Sequence, residues 1–348
     1  KRVYGRLGFP ERIDLIEADT KHDLAIEMRE ASARWFRRWL AGRDDAWREP
    51  AFEILPEQEI LCTPEGDVLR QPGARSFFDL IATEAAPLTA ERQRFWQSRP
   101  RPDALAKVRE LARIRPLAEL PGFTVTTGDT LQRGPLRIEK LTLRNAEGTV
   151  LPALLFHPSG ASTGFRLYLH EDGKGAAAGP DGTLEALARA GETVLAVDLR
   201  GLGEMQRGKR ASGFGALQEP NWKTATLAYL LGHSLVGMRA EDVLACARLA
   251  SEKWNQGRPI HLTGLGEAGV PALHAAALEP QLFAGTRLER TLRTWTYVSS
   301  TMRTRNQQVN TVHGALRFYD LPDLAATLPA EKLVLHEPVD AAGQMESK

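Results

Sequence analysis

The stretch HLTGLGEAGVPALHAAAL, His261 to Leu278, decides how this chain reads. An apolar run ends in a turn carrying Gly264, Gly266 and Gly269, and an alanine-rich helix follows. Strand, tight turn and helix in that order form the frame that holds an attacking serine at the apex of G-x-S-x-G. Gly264 stands two residues before the apex, and Ala268 and Gly269 stand two and three after it. Small residues are needed there because a strained turn packs closely on neighbouring chain. The apex slot itself holds Gly266. Placing Glu267 at the apex would put Leu265 two residues earlier, where a small residue is wanted, so Gly266 is the better register.

Outward from this frame, strand-like and helix-like stretches alternate from about residue 135. LRIEKLTLRN alternates apolar and polar residues as a half-buried strand does, and TVLPALLFHP follows as its hairpin partner. FRLYLHEDGKG is a strand running into a glycine loop, and TLEALARAGE a helix closed by Gly191. TVLAVDLRGLGE is a continuous apolar run, expected of a strand covered on both faces. RAEDVLACARLAS is the next helix. TLRTWTYVSS and EKLVLHEPVD supply two later strands, with LPDLAATL between them. This order predicts an α/β chain with a mostly parallel sheet and helices on both faces.

The first 118 residues read differently. ERIDLIEAD predicts a strand, and HDLAIEMREASARWFRRWLAG a helix with Leu24, Met28, Ala31, Trp35 and Trp39 on one stripe, ended by Gly42. A polar connector follows, then a hairpin expected in EILCTPEGDVLR around Glu65-Gly66, then helical stretches up to the β region.

Hydrophobic residues at 43% and charged residues at 26% fit a globular chain with a sizeable core. The net charge of +1 gives nucleic acid or an anionic surface little to attract. No apolar run is long enough to span a membrane. The N-terminal KRVYGRLGFP lacks both an initiating Met and the apolar core of a signal peptide, so a processed or excerpted chain is expected. Cys62 and Cys246 fit no metal or redox spacing and read as buried free thiols. His157, His233, His261, His274, His313 and His336 show no metal-ligand spacing, and no cofactor or metal is expected. Trp222, Trp254 and Trp295 read as packing residues, with sugar stacking as the sharper alternative.

Two stretches imitate a functional motif. GHSLVG contains Ser234, but TATLAYLLGHSLVGMRAEDV is helical, whereas an elbow serine must follow a buried strand. Gly264-Leu265-Gly266-Glu267-Ala268-Gly269 also fits G-x-G-x-x-G, the dinucleotide fingerprint. That fingerprint belongs on the first strand of its sheet, and this one comes late.

On these residues the chain resembles an α/β-hydrolase, and more narrowly the acetylxylan-esterase-type carbohydrate esterases. The resemblance rests on LPALLFHP, LYLHEDGKG, ETVLAVDLRGLGE, GHSLVGMRAEDVLACARLA, the elbow frame, GALRFYDLPDLAATL and KLVLHEPVDAAG, spanning residues 118–345. It implies an acid at Asp340, with Glu337 as a nearby alternative, and a histidine a few dozen residues later, where the chain has already reached Lys348. ERIDLIEADTKHDLAIEMREASARWFRRWL resembles the last strand, histidine loop and final helix of the same fold, which makes His22 the family-type histidine. Residues 1–42 are therefore expected to be a final strand and helix, 43–118 a connector and helical region, and 119–348 the core. A circularly permuted domain and a chain cut from a tandem array both fit; we favour the single closed domain, since an unpaired strand would expose apolar surface. An extracytoplasmic setting and an acylated plant-type polysaccharide or oligosaccharide as partner are implied by the resemblance alone.

Ester hydrolysis in this fold needs a hydroxyl nucleophile, a histidine to take its proton, and donors facing the oxyanion. Gly266 supplies no nucleophile, so the leading expectation is a carbohydrate-esterase-like domain without ordinary serine esterase activity, serving glycan binding or an active neighbouring hydrolase domain. The alternative is an active hydrolase with displaced chemistry. Glu267 would then act as base on a water at the empty apex, with His170, Glu171, Asp172 and Lys174 lining the substrate site. The blander reading of Glu267 is a helix-start carboxylate favoured by the dipole. A purely structural or interaction module is the third reading, with the aromatic helix ASARWFRRWLAG docking on a partner.

Overall fold

The computed structural model describes residues 1–206 and 221–345, in two compact units, Lys1–Ala74 and Arg75–Lys348. The first unit contains helices α1 (Arg2–Arg6), α2 (Ile26–Ala41) and α3 (Glu57–Ile60). The expected helix is present as α2, closed by Gly42 in the left-handed region at φ 66°, where glycine carries no Cβ penalty. The polar stretch after it folds back on α2: Arg29 pairs with Glu49 at 2.6 Å, Arg48 with Glu30 at 2.6 Å, and Arg37 with Asp45.

The strand expected in residues 11–19 is not formed, and neither is the hairpin around Glu65-Gly66. The two failures share a cause, because a strand persists only beside a partner. Residues 57–70, which would have supplied one, instead form α3, a turn at Gly66 and a 3₁₀ turn capped by Asp67. The sheet therefore takes no strand from residues 1–42, and that part of the closed-domain expectation is corrected.

The second unit opens with α4 (Phe77–Ala85), α5 (Leu88–Gln97) and α6 (Arg101–Ala112). The boundary expected at residue 118 is absent because these helices are tied into the core. Trp96 Nε1 donates to Phe318 O at 2.9 Å, Arg92 Nη1 donates to Leu316 O at 2.9 Å, and Val108 and Ala112 are buried in the main cluster.

Eight strands follow: β1 (Thr124–Arg133), β2 (Leu136–Arg144), β3 (Val150–His157), β4 (Gly164–Leu169), β5 (Glu192–Val197), β6 (Ile260–Leu265), β7 (Gly285–Glu289) and β8 (Leu333–His336). They form one sheet in the order β1-β2-β3-β5-β4-β6-β7-β8. β1 to β3 and the β3–β5 pair are antiparallel; from β5 through β8 every pair is parallel. The remaining helices are α7 (Thr183–Arg189), α8 (Trp222–Leu230), α9 (Leu235–Lys253), α10 (Gly269–Leu278), α11 (Trp295–Ser300) and α12 (Leu321–Ala325).

The two-residue alternation along the strands separates two cores. Phe165, Leu167, Leu169, Leu195 and Val197 pack with α6, α9, α10 and α12 on one face. Tyr168, Val194 and Ala196 pack with Leu184 and Ala188 of α7 on the other. TLRTWTYVSS does not supply a strand. The strand lies upstream as β7, and Trp295–Ser300 is the helix α11. Thr294 is the N-cap of that helix, its hydroxyl accepting the Thr296 N–H at 3.1 Å, and Asp320 supports the same turn from a distance by accepting the Trp295 N–H at 2.7 Å and the Thr296 hydroxyl at 2.8 Å.

Candidate functional site

The chain leaves β4 for β5 on one side and later enters β6 on the other, so the strand order reverses beside β4. In open α/β sheets such a reversal opens a crevice at the carboxyl ends of the strands. The two segments that meet there are His170–Lys174, after β4, and the turn at Gly266, after β6; the strands run in register with Leu169 beside Gly264. The elbow frame expected from sequence is present. Gly266 is buried at φ +56°, a 3₁₀ turn covers Gly266–Ala268, and α10 starts at Gly269. Gly264 and Gly269 allow the close crossing: a Cβ on Gly264 would lie 3.0 Å from Ala272 Cβ, and one on Gly269 would collide with the Thr291 side chain.

The space above Gly266 is taken by Glu171. A Cβ added to Gly266 would fall on the Glu171 carboxylate, and Glu171 Oε2 accepts the backbone N–H of Glu267 at 3.2 Å. The N–H one residue past the apex is the group that faces an oxyanion in elbow chemistry. Here it faces a side chain of the same protein.

Glu267 is buried and fully engaged. Its Oε1 pairs with Arg239 Nη1, and its Oε2 accepts from Asn306 Nδ2 at 2.5 Å. Arg239 is fully buried and also donates from Nε to Arg200 O at 2.8 Å. Arg200 in turn is bonded to the buried Asp242 at 2.7–3.1 Å. Burial raises the Asp242 pKa while Arg200 opposes the shift. With both oxygens committed, Glu267 is poorly placed to activate water, and it is not the solvated helix-start group of the blander reading either. Arg239 and Asn306 were not singled out from sequence. An arginine within the otherwise apolar run LVGMRA was the available sign of a buried charge.

The residues assigned to the substrate site divide. Lys174 is buried in an ion-pair cluster, with Nζ 2.7 Å from Asp198 Oδ2 and 2.5 Å from Glu204 Oε1, and its backbone N–H donates to Asp198 Oδ1 at 2.6 Å. It braces the loop through these bonds. His170 is half-buried and stacks on Tyr168, with Nδ1 accepting the Asp172 N–H at 3.0 Å. Asp172 is exposed.

Asp340 follows β8 as expected and organises its own turn: Oδ1 accepts the N–H groups of Ala342 and Gln344, each at 2.9 Å. His22 lies in the first unit, on an exposed bend before α2, and Asp340 lies in the second. Ser234 is the N-cap of α9, accepting the Gly237 N–H at 2.9 Å and donating to Ala112 O at 3.3 Å. Among the described residues, the one fully buried histidine is His274 on α10. Its Nδ1 is 2.8 Å from Val270 O and its Nε2 3.1 Å from Tyr319 OH, and burial pushes its pKa down to about 4. Trp295 is buried with Nε1 donating to Asn310 O at 2.6 Å, a packing role. Cys246 is buried and Cys62 is exposed, which corrects the expectation for Cys62; both are free thiols. Among the described residues, no group of three or more metal-ligating side chains occurs and no helix is long and apolar enough to cross a membrane.

The sequence matches no protein-family profile and no curated protein. In structure, the chain is similar to a candidate acetyl xylan esterase from Bacteroides fragilis NCTC 9343, with a TM-score of 0.59 and 14% identity over 77% of each chain. It also matches acetyl xylan esterases from Thermoanaerobacterium sp. JW/SL YS485 (TM-score 0.46, 14% identity, 69% of this chain and 88% of that one) and Paenibacillus sp. R4 (TM-score 0.47, 16% identity, 79% and 83%). At such identities likeness speaks to fold alone, and the first of the three carries it. Together with the sheet order and the elbow turn, it shows that this chain has an α/β-hydrolase fold similar to that of acetyl xylan esterases.

Proposed function

We propose that this chain keeps the architecture of a carbohydrate esterase without its serine chemistry, and acts as a non-hydrolytic module that holds acylated plant-type polysaccharide beside an active hydrolase domain. The observation that carries the reading is the elbow itself: a glycine at the apex, with the Glu171 carboxylate in the space a side chain would fill and on the N–H that an oxyanion would use. Losing one member of a serine triad removes most of the rate enhancement, leaving on the order of 10³-fold over water from oxyanion contacts and binding. Occupying an oxyanion donor removes a further ~10²–10³. Glu267, the candidate displaced base, has both oxygens committed to Arg239 and Asn306. The polysaccharide class is taken from the acetyl xylan esterases to which the fold is similar.

The test pairs binding with turnover on the full chain. Titration with acetylated xylo-oligosaccharide is expected to give saturable binding, while proton NMR of the same sample shows the acetyl groups retained. Release of acetate by the wild-type chain, lost on replacing one elbow or rim residue, would overturn the reading.

A further inference from the structure

We infer that the elbow is a carboxylate-binding site whose resident occupant is Glu171, and that a ligand carboxylate can take its place. The inference rests on the non-hydrolytic reading of the elbow and adds the class of ligand it accepts. Glu171 belongs to an exposed loop, yet its carboxylate reaches the buried turn and accepts the Glu267 N–H. No lysine or arginine pairs with it among the described residues. Other acids around the site are held by cations: Asp198 by Lys174, Asp242 by Arg200 and Glu267 by Arg239. Glu171 is thus the one of these carboxylates that can leave for water without stranding a buried partner charge.

What it would uncover is suited to an anion. The Glu267 N–H lies in the 3₁₀ turn that leads into the ten-residue helix α10, at the end where the backbone dipole favours negative charge. Gly266 presents no side chain, so a carboxylate can approach the backbone closely. A second feature points the same way. Arg239, fully buried and one hydrogen bond from Glu267, keeps its Nη2 without a partner, and so places uncompensated donor capacity beside the elbow.

A tethered carboxylate competes at an effective concentration in the millimolar range. The wild-type site is therefore expected to bind free carboxylates weakly, and removal of the tether should expose the intrinsic affinity. The experiment follows the Glu267 amide by NMR in the ¹⁵N-labelled full chain during titration with sodium acetate, with sodium glucuronate in a second arm and sodium chloride as control. E171A is expected to bind acetate about tenfold tighter than wild type or better, since a charge-assisted hydrogen bond is freed. G266A in the E171A background should abolish the gain by filling the approach. Tighter binding of glucuronate than acetate assigns the site to a sugar acid, and the reverse assigns it to a short acyl acid; either supports the inference. Equal acetate affinity in wild type and E171A, or a chloride response equal to acetate, overturns it. E171Q, which keeps the side chain's length, serves if E171A does not fold. Turnover assays on the same samples keep the two questions separate: hydrolysis would defeat the non-hydrolytic reading, whereas absent turnover without acetate binding defeats only this inference.

Discussion

The fully buried guanidinium of Arg239 is bonded to the carboxylate of Glu267, the residue immediately after the elbow apex. A buried pair of this kind is costly to break from one side, because the remaining charge has lost its compensation. R239M should therefore destabilise the protein by about 3–5 kcal/mol. R239M/E267L, which removes both charges, should recover a large part of that loss. Urea unfolding of the three proteins checks this; a cost below ~1 kcal/mol for R239M would contradict a structural role.

Gly266 at φ +56° disfavours any side chain, and Glu171 fills the space where a Cβ would go. G266A should cost about 1–3 kcal/mol from the backbone conformation. The clash of the new Cβ with the Glu171 carboxylate adds to that cost, and this added part should disappear in an E171A background. A double-mutant cycle reads the coupling, and strictly additive effects would show that the two positions do not touch.

His274 is neutral and buried, hydrogen-bonded between Val270 O and Tyr319 OH. Its pKa is lowered from 6.5 to about 4 by burial. Below pH 6.5 the unfolded chain takes up a proton that the folded chain refuses, so stability is full above that pH and falls as pH drops towards 4. The loss amounts to about 3 kcal/mol. The acid limb of the stability profile should flatten in H274Q; an unchanged limb would assign it to carboxylates instead.

Ser234 caps α9 and does no chemistry on this account. S234A should lower stability by about 1 kcal/mol. Any ester turnover in the preparation should be the same before and after the substitution, and turnover that vanishes with Ser234 would restore it as a nucleophile.

Much of this was legible in the sequence. Strands β2 to β6, helices α2, α9 and α10 and the elbow frame all follow from apolar periodicity and glycine placement, which are local signals. The readings that failed depended on distant partners. The stretch ERIDLIEAD has strand composition, but no neighbouring strand forms in its unit. TLRTWTYVSS reads like a strand, yet Thr294 caps a helix there and Asp320 supports its first turn from 25 residues away. Lys174 looked like a rim cation because the sequence does not reveal that Asp198 lies opposite it. Glu171 was recognised as a residue near the site, but only coordinates show its carboxylate lying over Gly266.

The central claim is that no serine hydroxyl is activated at this elbow, and covalent labelling tests it most directly. A fluorophosphonate that forms adducts with activated serines is incubated with the full chain, and intact mass is read before and after. The account predicts an unchanged mass under conditions that fully label an active serine esterase. A single stoichiometric adduct on any serine, lost when the protein is unfolded before exposure, would contradict it.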